Sequence, residues 1–391
     1  MSRGLMLAVD SLAIALPTRP ADARGRKKVL VVRLDAMGDL VLFTDALRAI
    51  RERYPSESWE LTLAVNAMWT GLLTGQGFAD HVLPLDRSRF LSSVKYRYSI
   101  AREVRSNRFD LALNPTRSRE AMLGDALIRL SMAPERIGWE AGADNISTAG
   151  RIMSDRWYTR LFPAREPDLM ELERNAMFVR LLGSEEFEAS MPKLEVQPGW
   201  INDARNILDD RGVGDKFVVL VPGTGLPQER EWPRDKWARL SERVVETTDL
   251  EVVLCGGEDD RSSAEEVVRL SGSPVFDLVG STTVRELAGV IALAGVLVGS
   301  DTGPVHLAGA LGVPAVCILG GAFPGRFFPY SVTGPGPVPV VVLSGECTCE
   351  RWNCRRWSEM DGTFPCIDAI DAETVHHEVV RIVGDDLKTR D

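Results

Sequence analysis

Apolar positions along this chain fall in short unbroken runs, each followed by a stretch with helical spacing. The alternation continues from residue 29 to residue 319. In the first half, residues 29–34, 61–65, 81–85, 109–113 and 136–139 are strand-length apolar runs, and helical patterns cover 40–53, 93–108, 118–130 and 172–182. In the second half, runs at 217–221, 251–254, 276–278, 296–298, 315–319 and 338–343 alternate with helical patterns at 200–211, 233–247, 262–270, 283–294 and 304–311. A last helix is expected over 372–383. Continuous apolar runs suit strands buried on both faces, so the pattern predicts parallel sheets flanked by helices in both halves.

Departures from the alternation mark boundaries. The acidic, proline-bearing stretch 184–199 is the expected linker between halves. Residues 140–170 are polar and aromatic without a clear period, and an irregular loop or lid is expected there. Ser281 or Thr282 is expected to cap the helix that follows. The basic helix 93–108, with Lys95, Arg97, Arg102, Arg105 and Arg108, reads as a solvated face or as one that meets an anionic acceptor. At the N-terminus, Leu5, Val9, Leu12 and Leu16 share a helical face that suits packing on the body or on a partner better than lying on lipid. Asp10 interrupts that apolar stretch, and no signal peptide is read from it.

Composition narrows the class. A chain of 391 residues with 45% hydrophobic and 26% charged residues describes two globular domains with sizeable cores. The net charge of −10 argues against a general nucleic-acid binder, although it allows a local basic pocket. No run of about 18 apolar residues occurs, so no membrane-spanning helix is expected. Six cysteines are too few for a disulfide-stapled secreted domain, and a cytoplasmic protein is expected.

The candidate chemistry sits in loops that follow strands, where open α/β sheets bind ligands. Asp39 lies just beyond 29–34, Thr224 and Arg230 beyond 217–221, Glu258 beyond 251–254, and Asp301, Thr302 and Gly303 beyond 296–298. Pro304 fits a first helical turn, so the N–H groups of Thr302 and Gly303 would meet a phosphate or diphosphate at a helix start. The same spacing also describes an ordinary crossover. Asp39 is either an N-cap or a general base. His306 is either a core histidine or a ligand. The acidic clusters 258–260 and 384–386 read as solvated rather than as a catalytic metal site.

Three separated motifs carry a resemblance. Val31-Val32-Arg33-Leu34-Asp35-Ala36-Met37-Gly38-Asp39, Pro222-Gly223-Thr224 with Glu231-Trp232-Pro233, and Gly299-Ser300-Asp301-Thr302-Gly303-Pro304-Val305-His306-Leu307-Ala308 resemble the heptosyltransferase-like glycosyltransferases of family 9. The resemblance spans residues 28–320. It implies an α/β GT-B fold, with two Rossmann-like domains facing a cleft, and an inverting glycosyltransferase without a catalytic metal. The donor it implies is a nucleotide sugar, commonly ADP-heptose. It gives Asp39 as the general base, Thr224 and Arg230 as donor-phosphate contacts (the family often has lysine at the second), and Glu258 near the nucleoside. Asp301, Thr302, Gly303 and His306 would form the sugar and diphosphate loop. The acceptor hydroxyl is left open among a lipopolysaccharide core, a protein and a natural product, and acceptor-binding residues are unknown. A GT-B sugar-nucleotide epimerase and a non-catalytic nucleotide-sugar-binding module are the alternatives.

The expected organisation is an N-terminal extension 1–27, an acceptor-binding domain 28–190, a donor-binding domain 191–345, a cysteine-rich finger 346–370 and a C-terminal helix 371–391. In the finger, Cys347, Cys349, Cys354 and Cys366 gather four thiols in a short span. A structural zinc or iron is expected there, with free thiols and disulfides as alternatives. Expected partners are the donor and the acceptor; nucleic acid is not expected, membrane contact is peripheral at most, and an oligomer is allowed.

Overall fold

The computed structural model describes residues 1–15, 25–142, 146–164, 169–224, 230–321, 325–330, 340–345, 354 and 362–389. Contacts divide the chain into two compact units. The first comprises Met1–Ala36, Phe43–Leu169 and Glu173–Ala189; the second comprises Met37–Leu42, Met170–Leu172 and Ser190–Asp391.

The first half of the chain runs α1 (Arg3–Ala15), β1 (Lys27–Arg33), α2 (Met37–Arg53), β2 (Trp59–Asn66), β3 (His81–Leu85), α3 (Arg87–Ser92), α4 (Val94–Asn107), β4 (Leu111–Asn114), α5 (Gly124–Ser131), β5 (Glu135–Trp139), α6 (Thr148–Asp155), β6 (Arg160–Phe162) and α7 (Glu171–Leu181). Its strands form one parallel sheet in the order β3-β2-β1-β4-β5-β6. The chain moves outward from β1 through β2 to β3 and then returns to β4 on the other side. The junction of β1 and β4 is therefore the switch point of a doubly wound sheet.

The second half runs α8 (Pro198–Arg211), β7 (Phe217–Val221), α9 (Arg234–Thr247), β8 (Glu251–Leu254), α10 (Arg261–Leu270), β9 (Phe276–Asp277), α11 (Val284–Leu293), β10 (Val296–Ser300), α12 (Gly303–Leu311), β11 (Ala315–Leu319), β12 (Val340–Ser344), α13 (Pro365–Asp368) and α14 (Ala372–Thr389). Read from β9, the sheet order is β9-β8-β7-β10-β11-β12, again all parallel. The same winding puts the second switch point between β7 and β10. Both central strands are buried along their whole length, as helix-covered parallel strands must be.

Several expectations from the sequence need correction. The stretch 140–170 is not irregular throughout, because it holds α6 and the edge strand β6. Ser147 caps α6 through the Gly150 N–H, and Phe162 of β6 packs edge-on against Trp139 and Phe178. A three-residue strand is too short to show a period. The helix expected over 118–130 begins only at Gly124, since the preceding turn buries Arg119. That guanidinium donates to Asp125, Ser154 and the Trp139 carbonyl, and lies over the Tyr158 ring. Helix α11 is capped by Thr283 rather than Ser281 or Thr282, in a capping box closed by Glu286.

Helix α4 is not simply a solvated basic face. Arg97 shares its buried stripe with Ile100, Ala101 and Val104, at the spacing of one helical face. Its guanidinium meets both carboxylate oxygens of Asp10 at 2.7 Å, and both side chains are fully buried. Asp10 thus belongs to the inward face of α1 with Met6, Val9 and Ala13, whereas Leu5 and Leu12 are exposed.

Candidate functional site

In the second unit, the loops leaving β7 and β10 meet at the switch point. The first carries Pro222, Gly223 and Thr224; the second carries Asp301 and Thr302 and opens directly into α12. Thr302 occupies the N-cap position in extended conformation, but its hydroxyl donates to the Ser300 carbonyl at 3.1 Å. No side chain caps α12 among the described residues. Its first-turn N–H groups and the positive end of its dipole make an anion-seeking position.

Arg230 stands beside this position because the residues after it are anchored. Ser263 donates to the carboxylate of Glu231 at 2.9 Å, and Thr363 donates to the Glu231 carbonyl at 3.0 Å. The Trp232 indole, fully buried, donates to the Ile370 carbonyl at 2.9 Å and packs edge-on against Trp237. Burial pushes the Glu231 carboxyl above its ordinary range. Burial also lowers the pKa of Arg230, and the charge of Asp301 opposes that shift. Arg230 therefore sets a partly desolvated positive charge near Asp301, beside the start of α12. Asp260 adds a bracket: it accepts from the Gly257 N–H at 2.9 Å, and its carboxylate lies where a Cβ on Gly223 would stand.

His306 lies one turn into α12 and is only 3% exposed. Its ring stacks on Phe328 with centroids 4.3 Å apart and planes 4° apart. Nδ1 lies 2.7 Å from the Tyr330 hydroxyl, and Nε2 lies 3.7 Å from the Asp301 carboxylate. The ring edge faces Gly38, where a Cβ would come within 2.8 Å of Cδ2 and 3.5 Å of the Gly303 Cα. On the opposite side, a Cβ on Gly303 would meet Met37 Cβ at 3.0 Å and the Gly38 nitrogen at 3.3 Å. The two glycines thus let the Met37-Gly38 backbone lie against the start of α12, all within the second unit.

Asp39 follows in the first turn of α2 and is half-buried. It is not the N-cap. Ala36 holds that position, with no side-chain bond to the helix. Thr224 is half-buried at the carboxyl end of β7. Glu258 is not gathered with the α12 loop by its contacts: it lies beyond β8, is exposed, and takes two hydrogen bonds from Arg261 at 2.9 and 2.8 Å. Those bonds hold its carboxyl below the usual range.

Cys347 and Cys349 lie outside the described residues. Cys354 is half-buried and Cys366 buried, both packed on the core around Trp232 and Val375. Among the described residues, no three His, Cys, Asp or Glu side chains gather as a metal site. No described helix is long and apolar enough to cross a membrane.

Sequence reasoning missed Tyr330, Asp260 and the inner support of the β1 loop. In the first unit, Asp35 pairs with buried Arg33 at 2.9 Å and accepts from the Thr116 hydroxyl at 3.0 Å, while its carbonyl accepts from the Trp69 indole. The Asp35-x3-Asp39 spacing was the available signal, since it separates a residue turned to the β1–β4 junction from one on the helix. Tyr330 left none.

Two parallel sheets of identical winding, one ending at an uncapped helix start with a guanidinium beside it, have the architecture of the GT-B fold. The chain is similar in fold to E. coli ADP-heptose lps heptosyltransferase II, with a TM-score of 0.71 at 18% identity over 92% of this chain and 99% of that one. It is similar also to the iron-containing dodecameric glycosyltransferase TibC from enterotoxigenic E. coli H10407, with a TM-score of 0.52 at 11% identity over 95% and 82%. The sequence profile of glycosyltransferase family 9 (heptosyltransferase) matches residues 97–334, and the chain belongs to that family. Lipopolysaccharide heptosyltransferase 3 of Escherichia coli (strain K12) is 24% identical over 300 residues, 72% of this chain and 79% of that relative. The chain is a glycosyltransferase.

Proposed function

We propose that this glycosyltransferase moves a heptose from ADP-heptose to a hydroxyl of a lipopolysaccharide core, with inversion at the anomeric carbon. The named relatives support the donor and the acceptor class. One observation carries the site: Met37 and Gly38 pack against Gly303 and His306, and Asp39 is the next residue. Asp39 takes the proton of the acceptor hydroxyl as its oxygen attacks the anomeric carbon, and the bond to the diphosphate oxygen breaks on the opposite face. Charge on the departing ADP is met by the α12 N–H groups at Thr302 and Gly303, by the helix dipole and by Arg230. Thr224 contacts the phosphates, Asp301 and His306 face the sugar and diphosphate, and Glu258 approaches the nucleoside.

The test is product analysis with ADP-heptose, other nucleotide sugars and a heptose-deficient core acceptor. The proposal expects transfer from ADP-heptose with inverted configuration. An epimerised nucleotide sugar without a transfer product, or a retained anomer, overturns it.

Cys347, Cys349, Cys354 and Cys366 are proposed to hold a structural iron or zinc, a reading supported by the iron named for TibC. The pair within the described residues fits: Cys366 is buried, its sulfur accepts from the Gly321 N–H, and Cys354 packs on the same core. Metal content of the wild type against Cys349→Ser tests it; an equal content overturns it. A cytoplasmic site of action belongs to the same proposal and rests on the sparse cysteines.

A further inference from the structure

A histidine in a ligand loop can present either ring nitrogen, and which one carries the proton depends on the bond made by the other. His306 has little freedom to choose. Phe328 covers one ring face, Gly38 closes the Cδ2 edge, and Asp301 stands off Nε2. That leaves Nδ1, whose partner is the Tyr330 hydroxyl at 2.7 Å. Tyr330 comes from another segment, and its own ring packs against Phe328 with centroids 4.7 Å apart. The pair therefore ties α12 to the chain after β11.

We infer that Tyr330 is a positioning residue that donates its hydroxyl proton to Nδ1 of His306 and so keeps the Nε2–H directed toward Asp301 and the donor diphosphate. Burial and the nearby Cys317 and Asp301 hold the Tyr330 hydroxyl well above the usual phenol range, so it is protonated at neutral pH, and the Asp301 carboxylate 3.7 Å from Nε2 favours the tautomer that leaves Nδ1 to accept from that hydroxyl. A neutral imidazole with Nδ1 occupied has one N–H left to give, and it faces the side of the ring where Asp301 lies. An imidazole flipped or in the other tautomer would turn a lone pair toward an anion. The functional half of this inference rests on the donor site proposed above.

The experiment combines spectroscopy with donor binding. The sequence has four histidines, so ¹⁵N-histidine labelling gives few rings, and the His306 signals are those lost in His306→Ala. In the wild type, Nδ1 is expected to be the unprotonated nitrogen. In Tyr330→Phe, which keeps the ring and removes the oxygen, its shift should move toward a mixture of tautomers. ADP affinity and the KM for ADP-heptose should weaken about 5- to 10-fold, as for one lost hydrogen bond, with kcat changed less. In a His306→Ala background, Tyr330→Phe should add less than twofold. A protonated Nδ1 in the neutral wild-type ring, or unchanged shifts and ADP affinity in Tyr330→Phe, overturns the inference alone. Failure of the wild type to bind ADP, with the expected tautomer in place, overturns the donor-site reading instead and removes the functional half. Unfolding of Tyr330→Phe would show as collapse of all four ring signals, and the wild-type tautomer then decides.

Discussion

At the scale of single residues, shape decides more of the site than charge does. Gly38 sits in the first turn of α2, where alanine would be favoured by roughly 0.5–1 kcal/mol on backbone grounds. Glycine is needed there because a Cβ would stand 2.8 Å from a His306 ring already clamped on Phe328. Gly38→Ala is therefore expected to lower kcat/KM for the donor by about 10- to 100-fold and to lower the melting temperature, because a clash of about 1–3 kcal/mol outweighs the backbone gain. A second residue speaks to stability. His376, 2.7 Å from the Thr247 hydroxyl, has its pKa lowered by burial and by Arg243, with Glu373 opposing. The unfolded chain binds a proton there at about pH 6.5, before the folded one does. Stability from this group is present above that pH and is lost as the pH falls through it. Urea midpoints should fall more steeply between pH 7.5 and 5.5 for the wild type than for His376→Asn; parallel curves would contradict this. At this scale the sequence was enough to put Asp301 and Arg230 in loops that follow strands, which is where they lie. Tyr330 was not legible, because its role comes from a bond across 24 positions to His306.

At the scale of elements, the alternation of apolar runs and helical spacing was enough to call α/β, and most strands start within a few residues of their apolar runs. Helix α12 could be read in advance because Pro304 near its start and Gly312 at its C-cap bracket it. What failed were elements whose identity rests on tertiary contacts. Strand β6 exists through its pairing with β5, and α5 starts late because Arg119 is drawn inward. Helices α1 and α4 make the same point energetically. Removing one partner of the buried Asp10–Arg97 pair, as in Asp10→Ala, leaves a buried guanidinium with the Met122 and Phe90 carbonyls but without its carboxylate, and should cost about 3–5 kcal/mol. The double variant Asp10→Leu with Arg97→Met should recover most of that loss in denaturant melts. Equal stability of Asp10→Ala and the wild type would show that α1 contributes little.

At the scale of the whole molecule, two sheets with one winding order give each unit a switch point, and the motifs of residues 31–39, 222–224 with 231–233, and 299–308 lie at or beside them. The order of strands was not legible in the sequence, because apolar runs carry no record of their neighbours. The agreement between strand-end polar loops and the observed junctions β1–β4 and β7–β10 comes from the physics of parallel sheets, whose carboxyl ends open where the winding reverses. The central claim is that Asp39 performs proton transfer while the loops around α12 hold the donor. Paired calorimetry and turnover of Asp39→Asn test it most directly. The account predicts ADP-heptose affinity within about twofold of the wild type and turnover reduced by at least 10²- to 10⁴-fold. Wild-type turnover, or donor binding lost as severely as turnover, would contradict it.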